Sequence, residues 1–216
     1  MSGSVYEDAS SPFAPVLGDA AREMPEAFRL QFLAGPGGGY TAVLEGVMER
    51  IWVRPRWLRP VFWLLGRLSL LPGRTGTAVP VTLRIAGHRT KDGTAQQLWR
   101  RRFEFERPWR MTTISEYDPK RRAPIDRLGP LLAFEIVWQV TFTPPGTLTL
   151  TGRQWRLRAG GLALPLPSRI IGTPSVEHTL AEAGDAVRVS FTNRVPVLGD
   201  IFGYEGTFRA RREPAR

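Results

Sequence analysis

Arg101 is the residue whose position most calls for chemistry. It shares one strand face with Trp99, Phe103 and Phe105, because residues two apart on a strand point the same way. A guanidinium among aromatic rings must be paired or must meet an anionic group, since burying an isolated charge is strongly unfavourable. The functional reading is a ligand carboxylate or phosphate bound inside a cavity. The structural reading is an internal partner, with Glu116, Glu135 and Glu177 as candidates, or a face open to solvent. Asn193 is in phase with Val189, Phe191 and Val195, where it would order a ligand or bond to backbone at a bulge. Tyr204 lies between Phe202 and Gly206 on one face, and its hydroxyl needs a partner if buried. Gly206 itself reads as a steric requirement for close packing or curvature. Trp99, Arg101, Phe103, Asn193 and Tyr204 are the candidate ligand-binding residues.

Residue supply restricts the other chemistries. There is no cysteine, which excludes disulfides, thiolate metal sites and cysteine nucleophiles. The two histidines are His88 and His178, so any metal site would rest on carboxylates, and none is expected. His88 sits beside Gly87 in a polar hairpin. His178 alternates with Val176 and Leu180 and reads as a core histidine, with a proton shuttle as the alternative. Neither a Gly-x-Ser-x-Gly elbow nor a Gly-x-Gly-x-x-Gly fingerprint is present, so no cofactor is expected. No catalytic residue can be assigned from spacing, and the reading leans away from an enzyme.

These side chains belong to a chain of 216 residues with net charge +10. That length suits one domain. The basic residues are 28 Arg and 2 Lys, spread along the chain with short clusters at 100–102, 120–122 and 209–212. None of these clusters lies in a nucleic-acid-binding motif, so no nucleic-acid partner is expected. An apolar fraction of 42% with 10% aromatics excludes a disordered chain. Residues 1–12 read as a disordered tail without the n- and h-regions of a signal peptide. The expected location is cytoplasmic, with peripheral attachment at the inner face of the membrane as the alternative.

Two helical segments are expected before the strands. Residues 17–34 place Ala20, Met24, Phe28 and Phe32 on one face, with Pro25 starting or breaking the helix. The stretch 55–71 is the most apolar of the chain and carries Trp57, Leu58, Val61, Phe62, Leu64, Leu65 and Leu68 on a broad face. It is too short and too charged to cross a bilayer. It reads first as a plug or lid on a curved sheet. Its second reading, through Trp57, Trp63 and the flanking Arg54, Arg56, Arg59 and Arg67, is an interfacial helix on a membrane surface. Strands are expected at 40–53, from 77, at 99–105, 110–117, 132–142, 147–158, 169–180, 186–195 and 202–211. The clearest alternation runs from Leu132 through Phe134, Ile136, Trp138 and Val140 to Phe142. The fold class is mainly β (α+β), a strongly curved antiparallel sheet or barrel of about 8–10 strands with N-terminal helices packed on it. One domain spans 13–216. A helix-grip fold is the alternative, weakened because the chain ends on a strand.

Several strings in order resemble a known bacterial family. They are Gly46-Val47-Met48-Glu49-Arg50-Ile51-Trp52, Gly76-Thr77-Ala78-Val79-Pro80, Arg101-Arg102-Phe103, Thr192-Asn193-Arg194 and Phe202-Gly203-Tyr204-Glu205-Gly206-Thr207-Phe208. The family is the domain of unknown function numbered four-one-six-six, and the resemblance covers about residues 13–211. Its members occur alone or fused behind saccharopine-dehydrogenase-like or short-chain nucleotide-binding domains. The resemblance therefore implies work beside an oxidoreductase or epimerase-type partner, and this chain would be a standalone form. The family offers no catalytic residues to carry over. The expected function is binding of an apolar or amphipathic small molecule in the concave face of the sheet. Its alternatives are an accessory or catalytic domain beside a nucleotide-dependent oxidoreductase, and a peripheral membrane module.

Overall fold

The alternating stretches form long antiparallel strands in a computed structural model that describes residues 10–129, 132–160, 162–181 and 186–215. The strands are β1 (Tyr40–Val53), β2 (Gly76–Arg89), β3 (Ala95–Phe103), β4 (Trp109–Asp118), β5 (Ala123–Leu128), β6 (Leu132–Thr143), β7 (Thr147–Ala159), β8 (Leu162–Leu166), β9 (Thr173–Leu180), β10 (Ala186–Val195) and β11 (Gly199–Pro214). Their order is β6-β5-β4-β3-β2-β1-β11-β10-β9-β7-β8, and β6 also pairs with β7. That last pairing closes ten strands into an antiparallel barrel. β8 lies outside it, paired to the second half of β7 where β9 has left. Closure leaves those ten strands with no free edge.

Three short helices, α1 (Ala14–Leu17), α2 (Ala20–Glu23) and α3 (Glu26–Phe32), replace the single N-terminal helix. The breaks fall at Gly18, whose φ is +50°, and at Met24-Pro25, where proline disfavours helix in the residue before it. Residues 1–9 of the expected tail lie outside the described residues, while Ser11, Pro12 and Phe13 are buried. The segment expected at 55–71 forms a 3₁₀ turn at Arg56–Leu58 and a helix α4 (Arg59–Arg67). Two strands, β5 and β8, fall where no strand is expected. β5 interrupts its alternation with Pro124 and Arg127, and β8 carries Pro165. The expected strand 169–180 is instead a helical turn α5 (Ser168–Ile171) followed by β9.

The two ends of the barrel are closed differently. At one end α3 inserts Phe28 and Phe32, and Phe32 meets the rings of Trp99 at 5.7 Å and His178 at 5.0 Å. Gln97 fixes this plug, its side-chain amide donating to the carbonyls of Phe32 at 3.1 Å and Ala34 at 2.8 Å. It thereby supplies donors that the helix C-terminus lacks. At the other end Phe62 of α4 stacks on Phe202 at 5.0 Å, and the Trp109 indole donates to the Gly66 carbonyl at 2.9 Å. Gly66 and Gly73 pack backbone to backbone there, since a Cβ on Gly66 would stand 2.6 Å from Gly73 Cα. Gly206 meets its expected steric role: a Cβ on it would sit 2.5 Å from the Val47 carbonyl oxygen, beside a register shift in β1 between Met48 and Arg50.

Candidate functional site

An eight-stranded barrel is just wide enough for its own side chains, so ten strands need bulky residues to fill the middle. Trp99, Trp138, Trp155, Phe191 and Phe208 supply most of that bulk, and a cavity of about 90 Å³ remains between them. Its wall is mainly apolar. Into it project four polar groups that matter: Arg101 from β3, Asp126 from β5, His178 from β9 and Tyr204 from β11.

The Arg101 guanidinium donates to the Thr113 hydroxyl at 2.8 Å and lies over the Trp99 ring at 5.5 Å. Among the described residues it forms no ion pair with a carboxylate. Two of the carboxylates considered as partners lie on the outer face instead. Glu116 and Glu135 pair with Arg127, and Glu135 also pairs with Arg156 and Arg158. The alternation of β6 explains this, because Phe134 and Ile136 take the phase opposite to Glu135.

Asp126 accepts a hydrogen bond from the Ser115 hydroxyl. Burial pushes its carboxyl above the usual carboxylate range, against the pull of Ser115, the Trp138 indole and the Arg101 charge. Among the described residues Trp138 Nε1 has no partner at hydrogen-bonding geometry. His178 is 6% exposed and its Nδ1 has no partner among them. Burial, with the charge of Arg101, lowers its pKa from 6.5 to about 3. The Tyr204 hydroxyl is pushed up by burial, an effect that Asp126 reinforces and Arg101 opposes. Its ring stacks on Phe191 at 4.9 Å.

Of the expected ligand-binding residues, Trp99, Arg101 and Tyr204 line this cavity. Phe103 is buried beyond it, under α4, with its ring 5.3 Å from that of Trp109. Asn193 also stands outside the lining. Its amide donates to the Ile171 carbonyl at 2.8 Å, next to a register shift in β10. Asp126 and Thr113 are brought in without any sequence signal, since nothing in a single short strand says which side chains meet across a barrel. The described residues include no group of three or more His, Asp or Glu arranged to hold a metal ion, and no helix long and apolar enough to cross a membrane.

A neutral buried histidine makes stability depend on pH. The unfolded imidazole takes up its proton near 6.5, whereas the native one stays neutral until about 3. The native state is therefore expected to lose stability as pH falls below 6.5, by up to about 1.4 kcal/mol per pH unit. The raised carboxyl of Asp126 acts in the opposite sense, since it binds its proton more readily in the native state than in the unfolded one. Urea midpoints between pH 7 and pH 4 for the wild type and His178→Gln isolate the histidine. The variant should show the shallower decline, and parallel curves would mean that His178 is hydrated.

The chain is similar to the uncharacterized protein YndH of Bacillus subtilis (strain 168), with 31% identity over 115 residues. That match covers 51% of this chain and 55% of the relative, so the chain spans about half the length of the curated protein it matches. A family model matches from just before the α3 plug through most of β11, residues 24–208, and so takes in most of the barrel and every polar group of the cavity. The chain belongs to the family described as domain of unknown function (DUF4166).

Proposed function

We propose that the barrel binds a small amphipathic monocarboxylate in its interior, with Arg101 as the anchor for the carboxylate. The observation that carries this reading is a cation facing an apolar cavity with no carboxylate partner among the described residues. Arg101 is half-buried, and a charge in such surroundings is stabilised when an anion joins it. Among the described residues Arg101 is the one cation lining the cavity, which suits a ligand of single negative charge better than a phosphate dianion. Tyr204 offers a hydroxyl to the same space. The cavity of about 90 Å³ is smaller than the roughly 150 Å³ that holds a benzene ring, so the ligand is a short-chain acid of roughly four or five non-hydrogen atoms. A two-chain lipid does not fit.

An accessory or catalytic role beside a nucleotide-dependent oxidoreductase is the second reading. It has one observation on its side, the presence of Asp126 and His178 in one cavity. Against it, no hydrogen bond joins them, and an imidazole with a pKa of about 3 is a weak base.

Native mass spectrometry of protein purified without detergent tests the proposal. The protein should carry a co-purified short-chain acid or take up added propanoate, and should not take up propanamide. Equal uptake of acid and amide, or of neither, would overturn it.

A further inference from the structure

The end of the barrel closed by α4 gathers most of the exposed large apolar side chains of the described residues. Only Phe62 and Gly66 of α4 are buried. Trp57 is 62% exposed and Trp63 56%, with Val61 and Leu64 beside them. Two further segments present apolar side chains at this same end. α5 leads into β9 with Ile170 exposed, and the turn from β10 to β11 holds Val197 at 90% exposure. Strand direction places them together, because β1, β7 and β10 end here and β2, β9 and β11 begin here. At the opposite end, the described helices α1–α3 expose no large apolar side chain.

Cationic grooves flank these side chains. One shallow groove beside α4 is lined by Arg50, Arg54, Arg56 and Arg59, and another by Arg67, Arg74 and Arg110, neither with a carboxylate among the described residues. A third arginine groove, away from α4 at Arg121, Arg122 and Arg153, has no exposed large apolar side chain in its lining. The Arg67 guanidinium lies over the Trp63 ring at 5.4 Å. An aromatic and aliphatic ridge between two cationic grooves matches the boundary of an anionic bilayer, where rings enter the headgroup region and guanidinium groups meet lipid phosphates.

We propose that the α4 end of the barrel docks on the surface of an anionic lipid bilayer. The helix is too short to enter further, and the barrel axis points into the membrane plane from outside. Leu71 and Pro72 follow α4 and line the interior cavity, so docking brings that wall of the cavity against the lipid. The proposal does not depend on what the cavity binds.

Sedimentation with vesicles tests it. The protein should bind phosphatidylcholine vesicles containing phosphatidylglycerol and leave pure phosphatidylcholine vesicles unbound, with binding weakened by salt. The triple variant Trp57→Ser, Trp63→Ser, Leu64→Ser should bind at least about tenfold more weakly. Its far-UV spectrum and thermal midpoint should match the wild type, since all three side chains are exposed. Arg54→Glu with Arg59→Glu should lower binding comparably. Arg101→Leu should bind vesicles as the wild type does, which separates this proposal from the cavity reading. Absence of binding to anionic vesicles, or equal binding by the triple variant, would overturn the proposal. So would wild-type dimerisation that the triple variant abolishes, because a second copy of the chain would then cover this face.

Discussion

Replacing Arg101 by Leu is expected to abolish retention of propanoate while leaving the domain folded. In the wild type the carboxylate would meet a guanidinium already held by Thr113 at 2.8 Å and by the Trp99 ring. Losing one partner of a buried charge pair costs about 2–5 kcal/mol, and the lower figure applies to the half-buried Arg101, roughly a thirtyfold loss of affinity. The fold should hardly suffer. Leu suits an apolar wall, and the change removes a cation that has no carboxylate partner among the described residues. Loss of the bond to Thr113 opposes this by about 1 kcal/mol. Titration calorimetry with propanoate, alongside urea unfolding, separates the two effects. Arg101→Lys should keep part of the affinity, because it retains the charge and loses the planar fork. If the Leu variant binds propanoate as well as the wild type, the anchor is elsewhere. If it unfolds, Arg101 is a structural group.

Glu135→Ala should have the larger effect on stability. Glu135 is fully buried on the outer face of β6, directly opposite Arg127 on β5 and Arg156 on β7. Arg158 completes the set at 2.7 Å. The ladder continues outward, since Arg127 also pairs with Glu116, which accepts from Gln96 at 3.1 Å. A polar row thus crosses five strands at the seam where β6 and β7 close the barrel. Removing Glu135 leaves three guanidinium groups facing one another. Breaking a buried pair costs about 3–5 kcal/mol. The lower figure applies here, because these arginines are 13–36% exposed and can be partly hydrated. About 3 kcal/mol lowers the melting temperature of a domain this size by roughly 10 °C. The arginine partners and hydrogen bonds hold the Glu135 carboxyl below its ordinary value of 4.5, against the opposing effect of burial. Its contribution is present above 4.5 and is lost as pH falls through the native value, so wild type and variant should converge in acid. A variant that melts with the wild type at pH 7 would mean that the row is solvated.

Individual strands were legible in the sequence where alternation was uninterrupted. Leu132 to Phe142 and Trp99 to Phe105 read clearly because each has one apolar phase. The same phase rule put Arg101 with the rings of its strand. Applied to β6, it sets Glu135 opposite in phase to Phe134, against the expectation of Glu135 as an internal partner for Arg101. β5 was hidden by Pro124 and Arg127, and with it Asp126. For α4 the pattern named a broad apolar face, but a barrel end has room for little more than Phe62 and the loop behind it, so Trp57 and Trp63 remain outside.

Local periodicity, set by backbone geometry, therefore determined which side chains point together along one strand. It determined an antiparallel, strongly curved sheet and an arginine that must find an anion or a partner. Tertiary structure alone decided that the sheet closes through β6 and β7, because closure depends on the summed pairing of ten strands. Only that closure brings Arg101, Asp126, His178 and Tyr204, from four separate strands, into one apolar space where burial is the largest influence on the protonation of the other three and the Arg101 charge acts on each of them.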